Sequence, residues 1–207
     1  VSTYVNRYAV APGSRALVFT NNDSAYQAAL DLADTGVSVA AVVDVRPDPG
    51  GELPAQVRQK GIEVIGGHAI VDIRGKKRVK GVEVMRLDAT GDGVSGRTRR
   101  IPCDLVAVSG GWSPTVHLHA QSGAKPRFDV DEACFVPGAP VQGERSAGSC
   151  NGSFALGQCL TEGFATGAAA ALAAGFDNGK SKAEIPATGD MTQEPLRPTW
   201  LVPSRAP

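Results

Sequence analysis

Arg15-Ala16-Leu17-Val18-Phe19-Thr20-Asn21-Asn22-Asp23-Ser24-Ala25 is the stretch on which the fold turns. Its first half is an apolar run of strand length and its second a cluster of turn formers. Ala25, Ala28, Ala29, Leu32 and Ala33 then recur at three- and four-residue steps, the spacing of a helix with one buried face. Asp23 or Ser24 is the expected N-cap of that helix and Gly36 its stop. Residues 37–44, Val-Ser-Val-Ala-Ala-Val-Val-Asp, read as a buried strand ending in an acid. Strand, helix and strand joined by short connections imply a parallel pair with a right-handed crossover.

Working outward, residues 53–60 suggest a short helix stopped by Gly61, and 62–65 a third strand. The texture then changes. Residues 69–74 and 79–87 read as antiparallel strands around Gly75-Lys76-Lys77, and 97–102 with 105–108 as another strand pair beyond a glycine-rich tip at 91–93. A turn at 110–114, a short helix near 116–121 and an irregular stretch to Gly143 follow, then a helix rich in alanine and glycine over 154–176. Upstream, Tyr4 to Tyr8 read as the tail of a helix, and residues 195–203 as a rigid, proline-rich connector, so the sequence is expected to be an excerpt of a longer chain.

The 207 residues carry 21 basic and 21 acidic side chains, so no overall field directs the chain to nucleic acid or an anionic membrane. The alanine-rich helix contains Glu162; a central carboxylate costs about 2.5–3.5 kcal/mol on insertion, with little leucine to offset it, which favours a water-soluble helix over a membrane span. No secretion signal is visible in residues 1–15. Cys103, Cys134, Cys150 and Cys159 form no CxxC pair and no zinc spacing, and read as free thiols, with a disulfide or a reactive thiol as the alternatives. His117 and His119 do not converge on one ion, so no metal ligands are expected. The basic run Lys76, Lys77, Arg78 and Lys80 is read as a solvated hairpin end.

Three stretches carry a family resemblance. Thr20-Asn21-Asn22-Asp23-Ser24-Ala25 sits where thioredoxin-reductase-like proteins have a GGGDSA turn. Cys103-Asp104-Leu105-Val106-Ala107-Val108-Ser109-Gly110-Gly111-Trp112-Ser113-Pro114 resembles their strand and G-x-x-P turn, and Ala147-Gly148-Ser149 through Glu162-Gly163 resembles their closing AGD…EG segment. The wording is closer still to the α-subunit family of heterotetrameric sarcosine oxidases: Val10-Ala11-Pro12-Gly13, the FTNNDSA and SGGWSP stretches, Val42-Val43-Asp44 with Arg46-Pro47-Asp48, and Trp200-Leu201-Val202-Pro203. The resemblance implies an α/β, Rossmann-like FAD/NAD(P)-binding fold: an inserted NAD-type domain over residues 1–96, the closing half of a FAD-like domain over 97–180, and a proline-rich linker over 181–207.

A working dinucleotide turn needs glycine for the tight turn and again for close approach of the pyrophosphate. Thr20 and Asn22 stand at those positions. The inserted domain is therefore expected to be structural, with Asp44 merely ending a strand; the alternative has Asp44 holding an adenosine ribose. By resemblance, Ser149, Asn151, Gly152, Phe154 and Leu156 would line the nicotinamide half of an NAD site in the complete α subunit, beside a helix N-terminus; the alternative is a plain helix-capping turn. The same resemblance implies a cytoplasmic oxidoreductase acting on a CH–NH group. It would convert sarcosine to glycine with formaldehyde or methylenetetrahydrofolate and hydrogen peroxide. FAD and FMN would be bound in the wider complex, not by this segment alone, and β, γ and δ subunits, sarcosine and tetrahydrofolate would be its partners. No catalytic residue is expected here. A non-catalytic assembly module with a decayed dinucleotide fold, and an NAD(P)H-dependent flavoprotein reductase, are the other readings.

Overall fold

The computed structural model describes residues 1–176, 184–189 and 194–203. They fall into two compact units, 1–111 with 194–203, and 112–176 with 184–189.

In the first unit, β1 (Arg15–Thr20), β2 (Ser38–Asp44), β3 (Val64–Gly66) and β7 (Leu105–Ser109) form one parallel sheet in the order β3-β2-β1-β7. Val18 of central β1 lies opposite Val42 on one side and Ala107 on the other. Helices α1 (Ser2–Tyr8), α2 (Ser24–Asp34) and α3 (Glu52–Gln59) accompany it. The period of two along β1 divides the core. Val18 joins Ala25, Tyr26, Ala29, Leu30 and Leu32 of α2 and Val57 of α3 in one buried cluster. Its neighbour Leu17 joins Ala41, Val43, Val82, Val84 and Ile101 in another. That second cluster is roofed by an antiparallel meander, β4 (His68–Gly75), β5 (Val79–Leu87) and β6 (Val94–Ile101). A sheet buried on both faces needs near-continuous apolar strands, and LVF and AAVV supply them.

One sequence expectation is corrected here. The strand at 105–108 does not pair with 97–102: β6 pairs antiparallel with β5, whereas β7 crosses to the parallel sheet beside β1. Asp104 sets that crossing, its carboxylate accepting the Ser14 and Arg15 N–H groups at 2.7–3.1 Å and so tying the start of β7 to the start of β1.

The second unit contains α4 (His117–Gln121), the antiparallel pair β8 (Arg127–Asp129) and β9 (Cys134–Val136), a 3-10 turn at Gly148–Asn151 and the long α5 (Leu156–Ala173). The stretch read as irregular thus holds a small hairpin. Helix α5 buries none of its side chains, and Leu156, Phe164 and Leu172 are exposed along it. Among the described residues no helix is long and apolar enough to cross a membrane.

Candidate functional site

Two places answer to the sequence expectations: the β1–α2 turn in the first unit, and the turn preceding α5 in the second.

The β1–α2 turn keeps its fold without its glycines. Asn22 Oδ1 accepts from Ser24 N at 3.1 Å and Ser24 Oγ at 2.6 Å, so it, rather than Asp23 or Ser24, covers the start of α2. Asp23 occupies the N-cap position but makes no side-chain capping bond. Asn22 Nδ2 donates to Asn21 Oδ1 at 2.8 Å and to Ser109 Oγ at 3.2 Å. Thr20 Oγ1 donates to Asn22 O at 2.9 Å and accepts from Asn22 N at 3.1 Å. Residues 20–23 are all buried. An amide side chain thus sits where a diphosphate would take its N–H donors.

Asp44 is equally engaged. It is fully buried and accepts from Tyr26 Oη at 2.8 Å, from Arg46 N at 2.8 Å and from Arg46 Nη2 at 2.8 Å. Arg46 Nη2 also stands 2.7 Å from Asp23 Oδ1, a charge contact off the hydrogen-bonding line, since Asp23 Oδ1 and Arg46 Nη1 have no aligned partner. Both atoms are enclosed and offer nothing to a ligand in the crevice. Burial, and then the Asp44 carboxylate, push the Tyr26 phenol far above its ordinary range. For Arg46 burial works downward, but its hydrogen bonds to Asp44 and the nearby Asp23 charge outweigh that and keep the guanidinium charged. A carboxylate so occupied has no lone pair to spare for a ribose. Tyr26 was not singled out from the sequence, and Arg46 only as part of a family-like stretch, without a role. An aromatic at a helix start and an arginine two residues past a strand-ending acid were the only signals.

The second place brings together three of the five expected residues. Ser149 and Asn151 lie on the 3-10 turn, and Gly152 closes it with a left-handed φ of 93°. A Cβ at Gly152 would approach Val136 Cγ1 to 2.9 Å, so glycine is required both by backbone and by space. Glu162 ties the turn to α5: its carboxylate accepts from Gly148 N at 2.9 Å, from Asn151 Nδ2 at 3.3 Å and, closely, from Ser153 Oγ. The Ser153 hydroxyl, with the Gly148 and Asn151 donors, holds the Glu162 carboxyl below the usual glutamate range. Ser149 and Asn151 remain exposed. Phe154 is half-buried against Trp112, with ring centroids 6.5 Å apart, and exposed Leu156 begins α5, whose N-cap Ala155 supplies no side-chain bond. A cleft of about 230 Å³ in the same unit is lined by His119, Glu144, Arg145, Asn151 and Thr166 among others; of the five residues only Asn151 reaches it. His119 Nε2 accepts from Gly138 N at 3.0 Å, which places the ring hydrogen on Nδ1, and Nδ1 donates to Glu144 Oε1 at 2.9 Å.

The four cysteines are free thiols; burial pushes the Cys103 and Cys134 thiols up, away from reactivity at neutral pH.

Over 204 residues, 99% of its length, the chain is 38% identical to the sarcosine oxidase subunit alpha of Corynebacterium sp. (strain P-1). The chain is similar to sarcosine oxidase subunit alpha along nearly all of its own length. The subunit alpha of Rhizobium meliloti (strain 1021) is 35% identical over 162 residues, 78% of the chain and 15% of that protein. The chain spans about one fifth of the length of the Corynebacterium protein, 21%. No protein-family profile matches it. Among solved structures it is similar in fold to thioredoxin reductase of T. acidophilum, with a TM-score of 0.53 and 19% identity over 83% of this chain and 54% of that one. L-proline dehydrogenase of P. horikoshii gives 0.52 and 18% over 84% and 29%. These two share the fold, which is the Rossmann-like α/β architecture expected from the sequence.

Proposed function

We propose that this chain is a segment of the α subunit of a heteromeric sarcosine oxidase, contributing scaffold and part of an NAD site. The identity to sarcosine oxidase subunit alpha along nearly the entire chain carries this reading. The activity is the oxidative demethylation of sarcosine to glycine, with hydrogen peroxide and either formaldehyde or methylenetetrahydrofolate as the other products. It belongs to the assembled complex of α, β, γ and δ subunits in the cytoplasm, with FAD and FMN bound outside this segment.

Within the segment, the nucleotide contact is assigned to Ser149, Asn151, Gly152, Phe154 and Leu156. What supports this is the combination of exposed Ser149 and Asn151, a glycine whose missing side chain allows close approach, and the uncapped start of α5. The chain's own part in the chemistry is to bind and orient. Glu162 locks the turn's backbone so that the outward-facing groups keep their position.

The second reading, a non-catalytic assembly module, is favoured for the first unit by the self-satisfied state of Asn22 and Asp44. The readings separate on nucleotide content. Denaturing purified full-length subunit should release NAD in stoichiometric amount, and Ser149→Trp should abolish that retention; nucleotide content unaffected by Ser149→Trp rejects the assigned site. Wild-type subunit that releases no nucleotide favours the assembly module.

A further inference from the structure

In open α/β sheets, ligands enter the crevice beyond the carboxyl ends of the strands. Here that edge is formed by the ends of β1, β2 and β7, and a stretch of the same polypeptide lies on it. Arg197 N donates to Asn21 O at 3.1 Å while Asn21 Nδ2 donates back to Arg197 O at 3.0 Å. Glu194 N donates to Asp23 Oδ2 at 2.7 Å. The Arg197 guanidinium reaches Val45 O at 2.9 Å, just past the end of β2, and Ala89 O at 3.4 Å. Further on, Val202 packs against the cluster of Val45, Ala69 and Leu87. The residues read from sequence as a connector are thus anchored over 194–202 by backbone, side-chain and apolar contacts at once.

We propose that residues 194–202 are the resident occupant of this crevice, so that the first unit is a socket for its own polypeptide and is closed to dinucleotides. Three features support exclusion independently. The N–H of Ser24 at the start of α2 is taken by Asn22. Asp44, which would receive a ribose, is enclosed by Tyr26 and Arg46. The approach over Asn21 is covered by Arg197. The residues present therefore do not fit a bound NAD(P) here. Pro195 and Pro198 flank the anchoring Arg197, and their fixed φ lowers the conformational freedom lost when the segment docks. The arginine satisfies carbonyls at the loop ends that a ligand or water would otherwise have to meet. The proposal concerns a different unit from the Ser149 turn and stands or falls separately from it.

Hydrogen-exchange mass spectrometry on the full-length subunit in its complex tests this, with NAD and ADP-ribose as probes. The amides of Glu194 and Arg197 should exchange slowly in the wild type, and neither probe at millimolar concentration should change exchange at 194–202 or at 20–25. Arg197→Ala should speed exchange across 194–202 by about tenfold or more, as expected for loss of charge-assisted bonds, and Arg197→Lys by less. If either probe accelerates exchange at 194–202 while protecting 20–25, the crevice is a working coenzyme site and the proposal fails. It fails equally if the wild-type segment exchanges as fast as an unstructured peptide. The probe experiment uses wild-type protein, so it decides even if Arg197→Ala does not assemble.

Discussion

Replacing Arg46 by alanine probes the centre of the first unit. Its side chain is 8% exposed, and it is the cation paired with Asp44, 0% exposed, and Asp23, 3% exposed. Alanine would leave two carboxylates in a site that water does not reach. Breaking a buried pair by removing one partner costs about 3–5 kcal/mol, because the remaining charge stays unsolvated. Against a total stability of about 5–15 kcal/mol this is a large fraction. For a protein of this size it corresponds to a fall in Tm of about 6–20 °C. The matched control is Arg74→Ala. Arg74 pairs with Asp72 and Glu83 but is 52% exposed, where water screens the pair, so its loss should cost far less. Urea unfolding of both variants, followed by circular dichroism, measures the difference. An Arg46→Ala cost within about 1 kcal/mol of the control would refute the argument, since it would mean that water reaches Asp44 and that the carboxylate is available to a ligand after all.

Asn22→Ala removes the amide that covers the start of α2 and should lower stability by about 1 kcal/mol in the same urea assay, without creating affinity for NAD. Gly152→Ala forces a side chain into a left-handed backbone and against Val136, costing about 1–3 kcal/mol; an unchanged urea midpoint would show that the turn is laxer than described. Glu162 gives a pH dependence with a definite sign. Its carboxyl is held below the ordinary value of 4.5, so its contribution is complete above that value and is lost as pH falls through the lower, folded value. Protection of the Gly148 amide should therefore be full above about pH 4.5 and fall in more acid solution, and Glu162→Gln should remove that acid dependence; the same acid dependence in wild type and Glu162→Gln would contradict the assignment.

The fold was legible because it rests on periodicity. Leu17 and Val18 face opposite cores, and the spacing of Ala25, Ala29 and Leu32 gave the buried face of α2 directly. What failed was partner choice. Strands β6 and β7 are adjacent in sequence and joined by a short link, which reads as a hairpin. The apolar Leu-Val-Ala-Val run of β7 instead satisfies its backbone beside β1, with Asp104 as the clasp. The anchoring of 194–202 was hidden for a related reason: Arg197 pairs with Asn21 across 176 positions, and no local pattern encodes a contact of that separation. The five residues around Ser149 came from resemblance, and the structure adds Glu162 as the group that holds three of that turn's donors.

A Rossmann-like lobe that is closed to dinucleotides, as proposed for the first unit, must satisfy its exposed backbone groups in another way. The carboxyl edge of a parallel sheet and the start of the adjoining helix present backbone groups that a coenzyme normally satisfies, and leaving them buried and unpaired is costly. The first unit solves this from within. Asn22 meets the helix start, Tyr26 and Arg46 meet the acid at the end of β2, and Arg197 meets the loop carbonyls beyond it. Each replacement is a polar side chain longer than the glycine or empty space it stands in for, so each also fills volume. That is why restoring one glycine, as in Asn22→Gly, should not restore binding: the acid and the covered approach are separate obstacles. In the turn before α5 the internal acceptor, Glu162, draws the donors of Gly148, Asn151 and Ser153 toward the helix, while Ser149 and Leu156 stay at the surface. The same polypeptide thus turns its polar groups inward at one nucleotide-type edge and leaves side chains outward at the other, and that asymmetry is the physical reason to seek the coenzyme at Ser149 rather than at Asn22.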